Sequence, residues 1–194
     1  MPIQLPLLGG DTPAIDRSFR GLRRIPLDAE AWVDHLPGWL RGQRHVFDAL
    51  REGTSWQEGE RTMYDGVVPV PRLTAHLPEH GPGHPMLFTA ADWLGQRYGI
   101  CFDQIGLALY RDGDDSVAWH RDQRLREQRS ACVATISLGE PRRFLLRPHG
   151  GGRSVALNLG WGDLVVMGGS CQRTWEHSVP KARYAEPRMS VMFR

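Results

Sequence analysis

After residue 103 the chain becomes a run of short apolar stretches, each cut off by turn residues, and this spacing leaves few folds open. The stretches are 104–110, 117–122, 131–138, 142–147, 154–159, 163–167, 177–179 and 188–194. Asp112-Gly113, His149-Gly150-Gly151-Gly152 and Gly168-Gly169 fall between them. Runs of this length, bounded by glycine and aspartate, read as strands. Eight of them predict a double-sheet jelly roll. The preceding residues carry a helical period. Asp28 is a good cap, Glu30 sits in the first turn, and Trp32, Val33, Leu36 and Leu40 follow at helical spacing. Pro37 divides this segment, leaving a second helix from about Gly38 to Leu50. A third is predicted from a Thr89 cap through Ala90, Ala91, Trp93, Leu94 and Tyr98 to Gly99. The expectation is an α+β protein, with a double-stranded β-helix (jelly roll) core and supporting N-terminal helices.

Residues 1–27, with Pro2, Pro6, Pro13 and Pro26, read as an N-terminal arm, and residues 28–194 as a single domain. Within it, residues 53–86 hold five glycines and five prolines. Short strands fit at Val67–Val70 and Leu73–Leu77, with loop elsewhere, as in a lid over a substrate. Trp56, Tyr64 and His76 are its flat side chains, suited to stacking on a nucleobase or to ordinary packing. Net charge is only +2 in 194 residues, so bulk charge does not argue for nucleic acid. Cys101, Cys132 and Cys171 fit neither a disulfide framework nor a paired-cysteine zinc site and are expected as reduced, mostly buried thiols. With no basic-then-apolar leader and no apolar run of membrane-spanning length, a cytoplasmic protein with no membrane partner is expected.

The chemistry concentrates in Trp119-His120-Arg121-Asp122. His120 and Asp122 are two residues apart, so on a strand both leave the same face. Alone the triplet is weak, and His120 would also serve as an ordinary satisfied histidine. His177, just beyond a buried strand and its Gly168-Gly169 turn, supplies a second imidazole from a neighbouring strand. Two histidines and a carboxylate on one side of a metal, with open positions opposite, form the facial triad of non-haem Fe(II) oxygenases. The remaining histidines lack a carboxylate at matching spacing.

The last strand adds a second signal. Alternation puts Met189, Val191 and Phe193 on an apolar face, towards the helices, and Arg188, Ser190, Met192 and Arg194 on the other. Inward arginines need anions. Their Cα atoms lie about 20 Å apart, which suits a dicarboxylate with one end on the metal: Arg188 at the far carboxylate, Arg194 at the near end. Pairing with an Asp or Glu of the chain is the other reading, stronger for Arg194. Arg121, Arg124, Arg126, Arg129, Arg142, Arg143, Arg147, Arg153 and Arg173 crowd the same region, as a phosphate-tracking rim or a solvated surface.

From about Val70 to Arg194 the chain resembles the AlkB family of Fe(II)/2-oxoglutarate-dependent dioxygenases. The resemblance rests on His120-x-Asp122, His177 and Arg188-x5-Arg194. It is supported by Tyr110-Arg111-Asp112-Gly113, Ile136-Ser137-Leu138-Gly139, Arg143-Phe144, the 162–167 stretch and Trp175-x-His177-Ser178-Val179-Pro180. It implies an enzyme that uses Fe(II), 2-oxoglutarate and O2 to demethylate N-alkylated bases of DNA or RNA, in the manner of alkylation repair. The metal ligands would be His120, Asp122 and His177. Tyr110, Arg188, Ser190 and Arg194 would bind 2-oxoglutarate, and Tyr64, His76, Arg124 and Trp175 would meet substrate. The partner would be methylated nucleic acid, single-stranded or with the base flipped, and the protein a monomer. The chain departs from the family at Ala108 and Ser190, where asparagine is usual, and at Arg124, where the repair enzymes carry an acid. Arg124 disfavours a cationic methylated base. The alternatives are the same oxygenase chemistry on a protein or small molecule, or a silent nucleic-acid-binding module.

Overall fold

The computed structural model of the chain describes residues 12–63, 66–122 and 124–194. In chain order the elements are β1 (Ala14–Ile15), β2 (Arg23–Pro26), β3 (Ala31–Leu36), β4 (Leu40–Arg41), α1 (Gln43–Gly53), β5 (Gln57–Met63) and β6 (Gly66–Leu77). Then come α2 (Pro85–Tyr98), β7 (Ile105–Tyr110), β8 (Val117–His120), β9 (Val133–Gly139), β10 (Arg142–Pro148), β11 (Val155–Leu159) and β12 (Asp163–Gly169). The chain closes with α3 (Cys171–Thr174), β13 (Trp175–Val179) and β14 (Arg188–Phe193).

A long sheet runs β2-β3-β12-β9-β14-β7-β6-β5, and a smaller one runs β11-β10-β13-β8. From β7 onward each strand crosses to the other sheet except at the β10–β11 hairpin, which stays within the small one, as in a jelly roll. All eight strands expected after residue 103 are present. Alternation then decides what each face of the long sheet meets. Ala134, Ile136 and Leu138 of β9, Leu164 and Val166 of β12, and Met189, Val191 and Phe193 of β14 are buried in one cluster with Val46, Phe47 and Leu50 of α1 and Leu87 and Leu94 of α2. The intervening residues Val133, Val165, Met167, Ala108 and Tyr110 cluster instead with Phe144, Leu146, Trp175 and Val179 of the small sheet. Each fully buried large apolar side chain contributes about 1.5–3 kcal/mol of transfer free energy.

Three sequence expectations change. The segment from Asp28 to Leu36 is not helical: residues 31–36 form β3, between β2 and β12. Asp28 Oδ1 accepts the Glu30 and Ala31 N–H groups at 2.9 and 2.7 Å, turning the chain into a strand instead of a helix. Ala31 and Val33 then face the small sheet, and buried Asp34 is held by Arg24 at 2.7 Å and the Tyr98 hydroxyl at 3.0 Å. Sheet pairing overrides a local period that suited a helix. Secondly, the Gly- and Pro-rich segment is mostly a hairpin, β5 paired with β6, and not loop. β6 also pairs with β7, so this hairpin extends the long sheet. Thirdly, α2 starts four residues before Thr89. Pro85 opens it, and His84 Nδ1 accepts the Met86 N–H at 3.1 Å. Gly99 ends it in the left-handed region, φ 69°, as expected. Of the cysteines, which are unbridged, Cys101 is exposed and only Cys171 is buried.

Candidate active site

A cavity of about 520 Å³ opens between the two sheets, lined by β6, β7, β8, β13 and β14. His120, Asp122 and His177 all line it, with Tyr110, Ser190 and Arg194. β8 and β13 are antiparallel neighbours in the small sheet, and His120 is the register partner of His177. Their rings lie 4.2 Å apart, centroid to centroid. Fifty-odd residues of sequence are thus closed by one strand pairing.

The state of the imidazoles follows from their surroundings. His120 Nδ1 lies 2.9 Å from the Ala118 carbonyl. A carbonyl only accepts, so Nδ1 carries the hydrogen and Nε2 keeps its lone pair. Burial lowers the His120 pKa, and the Arg72 charge works in the same direction. His177 is pushed well below the ordinary value, chiefly by burial and then by His120, Arg194 and Arg72. Both rings are therefore neutral at pH 7, the form that binds a metal. Phe144 packs on His177 with its ring 5.5 Å away.

Asp122 lies just past the end of β8. Its N–H donates to Gln172 Oε1 at 3.1 Å, which fixes the backbone against α3. Its carboxylate is ion-paired with Arg194 Nε. The alternative reading of Arg194 from the sequence, pairing with a carboxylate of the chain, is the one this conformation adopts. Among the described residues no three His, Cys, Asp or Glu side chains are gathered tightly enough to hold a metal. The two imidazoles are together, and the carboxylate faces a guanidinium in the same cavity. Arg194 is fixed by its backbone: its N–H donates to the Gln104 carbonyl at 3.0 Å, and its carbonyl accepts from Asp103 and Gln104. Gly106 makes room for the side chain, since a Cβ there would sit 3.1 Å from Arg194 Nη1.

Arg188 is buried, 1% exposed, beneath the Tyr110 ring at 4.9 Å. Nη2 donates to Ser137 Oγ at 2.8 Å and Ser190 Oγ at 3.0 Å, while Nε has no partner among the described residues. Burial lowers its pKa to about 10. A buried cation whose described partners are two hydroxyls is the fit expected for a carboxylate ligand. Buried Arg142 contrasts with it: three carbonyls, of Asp112, Asp115 and Pro180, accept its hydrogen bonds.

Other expected site residues are placed differently. His76 lines the cavity. Trp175 does not: its Nε1 donates to Asp28 Oδ2 at 2.6 Å, and the ring packs in the inter-sheet core. Arg124 is exposed, and Nη1 donates to Gln104 Oε1 at 2.8 Å, away from the cavity lining. Tyr64 lies outside the described residues. The arginine rim thins: Arg142 is a buried clamp, Arg147 stacks on Trp119 and pairs with Glu176, and Arg173 reaches Glu30. Arg129, Arg143 and Arg153 remain exposed, and Arg121 lines the cavity. Sequence reasoning missed Arg72, Phe144 and Gln172. For Arg72 a signal existed, the alternation Arg72-x-Thr74-x-His76 within a strand.

Comparison with known proteins bears on the family and the fold. A family profile described as the 2OG-Fe(II) oxygenase superfamily matches residues 82–194. The chain is 31% identical to alpha-ketoglutarate-dependent dioxygenase alkB homolog 3 of Bos taurus, over 93% of this chain and 68% of that protein. The Homo sapiens homolog 3 is 30% identical, over 75% of this chain and 54% of its own length. DNA oxidative demethylase ALKBH2 of Mus musculus is 29% identical, over 58% and 51%. The solved structure of OsALKBH1 superposes with a TM-score of 0.59 at 16% identity, covering 89% of this chain and 99% of that one, and shares the fold. The chain belongs to the AlkB family of the 2OG-Fe(II) oxygenase superfamily, whose members are dioxygenases that use Fe(II), 2-oxoglutarate and O2.

Proposed function

We propose that this chain removes N-alkyl groups oxidatively from nucleobases of DNA or RNA. The observation that carries the reading is the single cavity that joins two neutral, adjacent imidazoles, one carboxylate and Arg194 beneath a hairpin. His120 Nε2, His177 and the Asp122 carboxylate would hold the metal, and the donor set suits Fe(II). When bound, Fe(II) with 2-oxoglutarate and O2 supplies the oxidising power to hydroxylate an N-methyl group, which then leaves as formaldehyde.

The rest is the work of the chain. Arg188, with its lowered pKa still above neutrality, offers a fixed cation to the far carboxylate of 2-oxoglutarate. Tyr110 and Ser190 frame that position from β7 and β14. Arg194 would pass from Asp122 to the near end of the cosubstrate. Phe144, Val133, Met167 and Val179 keep the inner wall dry. The hairpin of β5 and β6, within residues 53–86, would act as the lid, with His76 facing the base. A base in duplex would have to be flipped to reach the cavity. Arg129, Arg143 and Arg153 are cations available to phosphates. The name of ALKBH2, a DNA oxidative demethylase, supports oxidative demethylation as the class, and that of homolog 3 supports a dioxygenase that depends on alpha-ketoglutarate. A cytoplasmic monomer is part of the same proposal. Separately, no helix among the described residues is long and apolar enough to cross a membrane.

The test is succinate formation by the Fe(II)-loaded chain with 2-oxoglutarate and O2, with and without single-stranded oligonucleotides carrying one N-methylated base each. Stimulated turnover with matching formaldehyde release supports the reading. Turnover that ignores every such oligonucleotide overturns it in favour of a protein or small-molecule target. The His120→Ala variant should be silent.

A further inference from the structure

β8 ends at His120, the register partner of His177, and Asp122 lies just past that end. Strand pairing therefore places the two imidazoles but not the carboxylate. Several bonds at Asp122 are local and move with it. Its carbonyl accepts the Leu125 and Arg126 N–H groups at 3.1 and 2.9 Å, and Oδ1 accepts the Arg124 N–H at 3.2 Å. Among the described residues, one bond joins the Asp122 backbone to a distant element: its N–H donates to Gln172 Oε1 at 3.1 Å. With the backbone held there, only the two torsions of a short side chain are left to place the carboxylate.

Gln172 sits on α3, the turn between β12 and β13, and lines the cavity. That turn is anchored without Asp122. The Ser170 N–H donates to the Glu30 carbonyl at 3.1 Å, and the Thr174 carbonyl accepts the His149 N–H at 2.8 Å. The Ser170 and Thr174 hydroxyls lie 3.1 Å apart. β13 follows directly, carrying His177. The stretch 170–177 thus references all three side chains: His177 directly, His120 through strand pairing, and Asp122 through Gln172. The amide of Gln172 is also an unusual choice for packing. Gln172 is 1% exposed, and the described partner of Nε2 is Met167 Sδ at 3.6 Å, a weak acceptor. An apolar side chain of the same length would avoid the desolvation of that amino group. What it would not supply is the oxygen that meets the Asp122 N–H.

We propose that Gln172 is a positioning residue for the metal centre. By holding the Asp122 N–H it sets the carboxylate against the His120–His177 pair, and so tunes metal affinity without touching the metal. The proposal rests on the reading of those three residues as metal ligands. Groups that orient a ligand in this way typically matter by about 10- to 100-fold in metal affinity. The bond reaches the backbone of Asp122 and not its carboxylate, so it fixes where the side chain starts and leaves both carboxylate oxygens free for other partners.

The experiment uses the whole chain and takes three readouts on each variant. Mn(II) affinity in the presence of 2-oxoglutarate is read from the free-ion electron paramagnetic resonance signal. The spectrum of the bound ion is recorded at saturation, and the thermal midpoint is measured on the metal-free chain. Gln172→Met keeps the length of the side chain and removes its oxygen. Thr174→Val removes the hydroxyl contact within α3 and leaves Gln172 in place. In Gln172→Met the affinity should fall at least about tenfold and the bound-ion spectrum should change, while the thermal midpoint holds. In Thr174→Val the midpoint should fall, with affinity and spectrum as in the wild type. Wild-type affinity in Gln172→Met overturns the proposal. So does an affinity that follows the thermal midpoint across both variants, which would make α3 scaffold alone. A wild type that binds no Mn(II) means that the ligand reading itself has failed, and this proposal with it.

Discussion

The long sheet has two faces built from the same strands, and they differ in kind. Towards α1 and α2 it presents Ile136, Leu138, Val191 and Phe193, apolar and fully buried. Towards the small sheet the same strands present Thr135, Ser137, Arg188 and Ser190, also buried. Period-2 alternation makes this division possible: one strand can close a dry core with alternate residues and build a polar chamber with those between them. The dry face supplies the burial energy that holds the sheet. The other face carries Arg188, which burial alone would penalise, and across the space between the sheets the small sheet carries His177, penalised likewise. Stability and chemistry are therefore separable by residue parity within β9 and β14.

Substitutions on the two faces should separate accordingly. The largest effect is on turnover: His177→Ala should reduce succinate formation to that of the metal-free protein, while far-ultraviolet circular dichroism keeps the native strand signal. On the dry face Leu138→Ala should cost about 3 kcal/mol, read as a lower urea midpoint, with turnover per folded molecule unchanged. Arg188→Met sharpens the contrast. The KM for 2-oxoglutarate should rise at least about tenfold, the loss of one charge-assisted contact. Stability should hold or increase, because an unmatched buried cation has been replaced by an apolar side chain. A fall in stability comparable to Leu138→Ala would place Arg188 in the scaffold instead.

The smallest effect is on pH dependence. The folded pKa values of His120 and His177 are depressed, so the unfolded chain takes up protons first as pH falls. Stability of the metal-free chain is then full above about pH 6.5, the unfolded imidazole value. It declines as pH falls from there towards the folded values. His177→Gln should flatten that decline in thermal melts between neutral and mildly acidic pH.

Much of the fold was readable in the sequence because strands buried on both faces are short, apolar and fenced by glycine and aspartate. β7, β9, β12 and β14 are of this kind. The pairing of His120 with His177 was readable because a jelly roll returns the chain to a neighbouring strand. β3 was not: Ala31–Leu36 suits a helix locally, and only its place between β2 and β12 makes it a strand. Trp175 shows a second limit. Alternation places it inside, on the side of His177, but inside includes both cavity and core, and its hydrogen bond to Asp28 comes from 147 residues away. Arg124 and Arg72 show a similar limit. Proximity in sequence to the metal aspartate favoured Arg124, whereas Arg72, on a hairpin hidden among prolines, lines the cavity.

The most direct test of the site is a metal titration, with Mn(II) as a redox-inert probe and loss of its free-ion electron paramagnetic resonance signal as the readout, in the presence of 2-oxoglutarate. The wild type should bind one Mn(II) per chain. His120→Ala, His177→Ala and Asp122→Ala should each lose that binding, and Arg188→Met should keep it but need more 2-oxoglutarate to tighten it. Unchanged stoichiometry and affinity in the histidine variants would contradict a metal centre between the sheets.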